Sequence, residues 1–230
     1  MIEVLKPYFI ANSASDEDVS VEERNLLSVA YKNAVGMRRI AWRAVKKASK
    51  TQKFLAYADH STNYMKDLEE ETVELCKDML NLITKHLIPR AKRAGSYESQ
   101  VFFFKLLGDY FRYVAEVSEG ERNQKATERA LLNYNDGIGL AEHLEPAEPT
   151  RLALQLNYSI ICFENLDLKE QALDIANQAF EEAVEHIKSL DRGKRSEAQT
   201  ILQFLKENIT SWKQAINDAN GENSKRNLFS

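Results

Sequence analysis

The sequence predicts an all-α fold, an antiparallel array of seven or eight helices with an amphipathic groove. Three features of the chain predict it. Proline occurs only at Pro7, Pro89, Pro146 and Pro149, which leaves two long tracts free of it. Proline inside a helix removes a backbone donor and clashes with the preceding turn, so such tracts permit long helices. Glycine is sparse, eight in 230 residues, while the strong helix formers Ala, Leu, Glu and Lys are abundant. Apolar residues recur at helical spacing, and no segment alternates for long at strand period.

Taken in order, residues 1–19 hold a short helix at most, because Pro7 interrupts them. The first long helix runs from Glu22 to about Lys50, on the spacing of Leu26, Val29, Ala30, Ala34, Met37, Ala41 and Val45. Ser20 as N-cap and Glu23 three positions on form a capping box. A second helix is predicted from about Ala58 to Leu87, stopping before Pro89. A third follows Gly95-Ser96, from about Glu98 to Val117. A fourth covers Glu121 to His143 and ends at the loop containing Pro146 and Pro149. Thr150 is read as the cap of a fifth, to about Asn165. A sixth follows Leu166-Asp167-Leu168 and runs to about Lys188. A seventh follows Asp191-Arg192-Gly193 and runs to about Asn217. Short connections make neighbouring helices antiparallel. One domain is expected over 1–217, with a disordered polar tail over 218–230.

Composition narrows the function. With 31 Lys+Arg against 35 Asp+Glu, the net charge of −4 gives no bulk attraction to nucleic acid. The longest stretch without a charged residue, Leu152–Phe163, is too short to span a membrane. The polar start, with Glu3, Lys6 and Pro7, argues against a signal peptide. Cys76 and Cys162 lack metal-ligand spacing and are read as reduced core thiols of a cytosolic protein. No metal or other cofactor is expected.

Cationic residues are patterned on two helices. Lys32, Arg39, Arg43 and Lys46 fall within about 60° of one another around the first long helix. A solvated face is the commoner origin of such a stripe. Two features favour a built site: Trp42 follows Arg38-Arg39 and is large enough to stiffen them, and Lys105 and Arg112 recur at i, i+7 beside Tyr113. Arginines with a tyrosine hydroxyl suit a compact dianion such as a phosphoryl group. Elsewhere Asn157 and Glu164 lie beside Leu156 and Ile160, and Phe204, Asn208 and Trp212 are spaced four apart. An amide donates and accepts at once, which matches a peptide backbone. Stacking these helices would oppose a cationic wall to an apolar one.

At these residues the chain resembles a 14-3-3 protein. The matching blocks are Glu22-Glu23-Arg24-Asn25-Leu26-Leu27-Ser28-Val29-Ala30-Tyr31-Lys32-Asn33, Gly36 with Arg38-Arg39 and Trp42-Arg43, and Leu87-Ile88-Pro89. Further blocks are Gly108-Asp109-Tyr110-Phe111-Arg112-Tyr113-Val114-Ala115-Glu116, Arg151-Leu152 with Leu156-Asn157-Tyr158-Ser159, and Glu207-Asn208-Ile209-Thr210-Ser211-Trp212. The similarity spans about Val19 to Trp212. It implies a non-catalytic adaptor for phosphoserine and phosphothreonine motifs in partner proteins. It places Lys32, Arg39, Arg112 and Tyr113 at the phosphate, with Arg43 supporting Arg39. It places Asn157 and Asn208 at the ligand backbone, and Lys105, Leu156, Ile160, Glu164, Phe204 and Trp212 in the groove. It also implies a cytoplasmic protein, with the nucleus as a further location.

The chain departs from the family pattern at several points. The usual first helix is missing or replaced by Met1–Ala11. Asp67 stands where a basic dimer-interface residue is common, although Glu71 matches, and with the short N-terminus this leaves homodimerisation open. Ala41 replaces a serine that controls dimer dissociation. Thr200 and Phe204 replace groove leucines, Leu107 a lysine and Ala153 a glycine. Ser224 and Ser230 raise the idea of a phosphorylated tail occupying a groove. The rival reading is a tetratricopeptide-like scaffold for unphosphorylated peptides, suggested by Ala176 and Phe180, but no sustained repeat supports it. An enzyme is disfavoured: the four histidines show no i, i+4 pair, and no Gly-rich phosphate loop or nucleophile elbow is present.

Overall fold

The computed structural model describes residues 1–228, with side chains described except at 53–55 and 220–228. The described residues are mostly helical and hold no strand. They fall into two compact units, Met1–Asn133 and Tyr134–Ser230. The expected tail and its Ser224 and Ser230 fall mainly on 220–230, outside the described side chains.

The first unit begins with α1 (Ile2–Ala11) and α2 (Val21–Ser49). So residues 1–19 hold one short helix, as Pro7 led the sequence reading to expect. Pro7 lies inside it, and the helix is held by tertiary contacts: Phe9 is buried and Lys6 pairs with Asp78. The expected box starts α2. The Ser20 hydroxyl accepts from the Glu23 amide at 3.2 Å, and the Ser20 amide donates to the Glu23 carboxylate at 2.9 Å. The loop before it is fastened from elsewhere: Arg90 donates to the Glu17 and Asp18 carbonyls, and Ser99 donates to the Asp18 carboxylate at 2.6 Å.

A 3-10 segment (Gln52–Tyr57) leads to α3 (Ala58–Leu82). Here the sequence reading needs correction, because the chain does not leave the helix before Pro89. It widens into a π turn (Ile83–Leu87) and continues as α4 (Ile88–Arg93). Hydrogen bonding to the fifth residue back loosens the helix just where a proline ring would crowd the carbonyl four residues earlier. Gly95, at φ +66°, turns the chain out, and Ser96 caps α5 (Tyr97–Val117). Because α3, the π turn and α4 form one rod, the described chain has eight rods.

Two aromatic and polar seams hold this unit. Tyr31 and Tyr110 meet edge to face, and the Tyr31 hydroxyl donates to Asp78 at 2.7 Å. Arg24, almost fully buried, pairs with Glu98 at 2.6 Å and lies over Phe102. Cys76 is a buried free thiol, as is Cys162 in the second unit.

Helix α6 (Gly120–Ala141) carries the chain from the first unit into the second. In the second, α7 (Pro149–Glu164) is entered from Glu148, with Pro149 in its first turn. Thr150 is therefore inside the helix and is not its cap: proline's fixed φ suits the first helical position. Then come α8 (Lys169–His186), a 3-10 turn (Ile187–Ser189) and α9 (Arg192–Leu228). The carboxylate of Asp191 caps α9 by accepting from the amides of Gly193 and Lys194 at 2.8 and 3.0 Å. Ala172, Ala176, Ala179 and Ala183 are buried on one face of α8, which packs against both α7 and α9. Small side chains allow that close approach, and they account for the repeat-like look of this stretch.

Replacing Ser20 with Ala is expected to lower stability by about 1 kcal/mol through loss of the cap. Urea unfolding measures it, and the slope against denaturant should not change.

Candidate functional site

Two of the cationic residues, Arg39 and Arg112, converge on one ring. Tyr113 lies on α5 with only 8% of its surface exposed. The Arg39 guanidinium, from α2, lies over that ring at 3.8 Å from its centroid. Arg112, from α5, lies over the same ring at 5.1 Å. Burial pushes the Tyr113 hydroxyl up to about 12, with Asp109 adding to the rise. It therefore stays protonated through the neutral range and remains a donor.

Glu116 organises the cluster. The Arg39 Nε donates to its Oε2 at 2.6 Å, and Arg39 Nη2 pairs with the same oxygen. The Arg43 Nε meets the other oxygen at 2.5 Å. One carboxylate thus holds two arginines of α2 by their inner edges, and the other edge of the planar Arg39 fork is turned away from it. The sequence reading named Arg43 as a support for Arg39. The support runs through Glu116, which was not singled out, although it stands four positions after Arg112 on the same helix. Lys32 is exposed on α2, two turns before Arg39 on the same face.

One expectation is corrected. Trp42 is buried and does not back the arginines; it receives Lys46, whose ammonium is 4.4 Å from its ring centroid and 3.6 Å from Glu119. Tyr113 does the backing instead. Arg38 pairs with Glu71 at 2.6 Å within this chain. Lys105 donates to the buried Asp109 at 2.8 Å, one turn on along α5.

The remaining sequence candidates belong to the second unit. Leu156, Asn157 and Ile160 are half-buried on α7, and Glu164 is exposed at its end. On α9, which packs against α7, Phe204 is exposed, Asn208 half-buried and Trp212 buried. Trp212 stacks flat on Phe163, with centroids 4.6 Å apart and planes at 9°. Phe163 was not anticipated; its place beside Glu164 gives no sign of the partner.

Chemically, the first-unit cluster gathers donors of the kind that suit an anion. Two guanidinium groups meet at the ring of a neutral hydroxyl donor, and the Glu116 carboxylate pairs with Arg39 and Arg43 beside it. Among the described residues no group of three or more His, Cys, Asp or Glu is placed to hold a metal ion. No helix among them is long and apolar enough to cross a membrane.

The family model described as 14-3-3 protein matches residues 1–213. The chain belongs to the 14-3-3 family. It is 37% identical over 214 residues to the 14-3-3-like protein GF14 epsilon of Arabidopsis thaliana, covering 91% of this chain and 83% of that one. It is 41% identical over 196 residues to 14-3-3 protein homolog 2 of Echinococcus multilocularis, covering 85% and 78%. It is 38% identical over 204 residues to the checkpoint signal transducer rad24 of Schizosaccharomyces pombe, covering 87% and 74%. Membership carries the adaptor role, the binding of partner proteins, that defines 14-3-3 proteins. In this 14-3-3 chain the arginine pair and its tyrosine lie in the block 108–116 and the α2 stripe.

Trp212→Ala is expected to cost about 3 kcal/mol, because it removes the stack on Phe163 and leaves a cavity between α7 and α9. Trp212→Phe should keep most of that stability. Thermal unfolding of the two variants separates packing from any ligand contact of this side chain.

Proposed function

We propose that this protein captures phosphoserine- or phosphothreonine-containing segments of partner proteins and catalyses nothing. The observation that carries the proposal is the Arg39–Tyr113–Arg112 stack: two cations from different helices held on one protonated tyrosine. The phosphoryl group takes the outer edge of Arg39, a fork of Arg112, the Tyr113 hydroxyl and the Lys32 ammonium. Arg43 acts through Glu116 and does not touch the ligand. Asn157 and Asn208 hold the peptide main chain, and Lys105, Leu156, Ile160, Glu164, Phe204 and Trp212 face its flanking residues. The cytoplasm is the proposed location, with the nucleus as a second.

Discrimination follows from charge. A phosphoserine carries about −1.5 to −2 charges at neutral pH, while serine carries none. Each charge-assisted hydrogen bond contributes about 1.5–3 kcal/mol, so losing two or three lowers affinity by orders of magnitude. Because Glu116 already fixes Arg39 and Arg43, little side-chain entropy remains to be lost on binding.

Paired phosphorylated and unphosphorylated Arg-x-x-Ser-x-Pro peptides test the proposal by calorimetric titration. The phosphorylated peptide should bind at least ~100-fold more tightly. Arg39→Glu should abolish that preference with helicity unchanged by circular dichroism. Tyr113→Phe should weaken binding roughly five- to tenfold, the worth of about one hydrogen bond. Affinity should fall as pH drops through about 6, where the ester regains its second proton. Equal affinity for the two peptides would favour a scaffold for unphosphorylated segments.

A further inference from the structure

The first unit holds a second cleft, of about 400 Å³, between α3, α5 and α6. That volume is within the range of ligand pockets. Its floor is apolar: Val73 and Leu80 come from α3, and Phe111 and Val114 from α5. Its rim is cationic on both sides, with Lys77 from α3 and Lys125 and Arg129 from α6. Neighbouring carboxylates temper part of this charge. Lys125 pairs with Glu121, and Lys77 is 4.0 Å from Glu74. Arg122 and Glu69, 2.8 Å apart, bridge α6 to α3. Arg129 is exposed and has no carboxylate partner among the described residues.

The cleft is separate from the phosphate cluster, yet it shares a turn of α5 with it. Arg112 and Tyr113 project from one side of that turn. Phe111 and Val114 lie about 100–160° around the helix from them, given about 100° per residue. A ligand on one face leaves the other face open.

We propose that this cleft is a phosphate-independent docking site for an acidic partner segment, one that inserts leucine- or phenylalanine-type side chains between flanking carboxylates. The apolar floor takes the inserted side chains. The carboxylates reach Lys77 on one side and Arg129 and Lys125 on the other. Charge complementarity selects this occupant: a purely apolar segment would leave Arg129 without a counter-charge and the other rim cations only partly offset, and a purely acidic one would leave the floor wet. An acidic peptide also matches three dispersed, single-point cations better than a phosphoryl group, which needs donors converging on one point. A partner bearing both a phosphosite and such a segment would be held at two places on one unit, with the gain in avidity that linkage gives.

The test uses the full-length protein and a fluorescein-labelled, unphosphorylated peptide with a Glu-Leu-Leu-Glu-Phe-Glu core, read by anisotropy. The peptide should bind, and a saturating phosphoserine peptide should not displace it. The double variant K125E/R129E, changed at exposed positions only, should weaken it about tenfold or more while leaving phosphoserine-peptide affinity unchanged. Replacing the core's Leu and Phe by Ser should also abolish binding. Four results would overturn the proposal: no binding to the wild type, equal binding to the double variant, displacement by the phosphopeptide, or full retention by the Ser-substituted peptide. The last would reduce the effect to diffuse charge attraction.

Discussion

The proposed phosphoryl capture depends on holding two like charges, Arg39 and Arg112, on one tyrosine ring. Arg39 and Arg112 repel one another, and each would be better solvated apart. The ring of Tyr113 offers both a negative π face, and stacking of this kind contributes about 0.5–2 kcal/mol at partly buried sites. Glu116 adds a fixed counter-charge, but it takes only the inner edge of Arg39 and shares itself with Arg43. In the proposed role, an incoming dianion relieves the repulsion between the two guanidinium groups.

The fold exists to hold those donors still. Arg39 comes from α2 and Arg112 from α5, and their relative position is set by the layer between them. Tyr31, Tyr110 and Asp78 fasten that layer, and the lengthy α3–α4 rod supports it. The same burial that raises the Tyr113 hydroxyl to about 12 keeps it a donor under all ordinary conditions. Packing and electrostatics are thus not separate here, since the buried seam determines the protonation state at the surface.

Much of this was legible in the sequence because it rests on spacing. Arg39, Arg43 and Arg112 stood out by helical periodicity and Tyr113 by lying beside Arg112, their roles came from the family resemblance, and Ser20 with Glu23 came from a local capping rule that the structure obeys. Where the reading failed, the deciding contact was either long-range or a matter of helix variety. Pro89 was taken as a stop because proline usually is one; the π turn at 83–87 absorbs it, and no local pattern announces a wider turn. Thr150 outranks Glu148 as a cap by side chain, but Pro149 fixes the first helical position and moves the start back. Trp42 was matched to the arginines by adjacency, whereas its burial gives it to Lys46. Glu116 was in view within a conserved-looking block but unassigned, because its partners are 77 and 73 residues earlier in the chain. Sequence shows which side chains share a helix face; it does not show which distant carboxylate closes the network.

The most direct test is a crystal structure of the protein with a bound phosphoserine peptide. The expected result is a phosphoryl group within hydrogen-bond distance of the Arg39 and Arg112 guanidinium groups and of the Tyr113 hydroxyl, with Glu116 still holding Arg39 and Arg43. A phosphate bound elsewhere, or a peptide seated with its phosphate in solvent, would contradict the assignment.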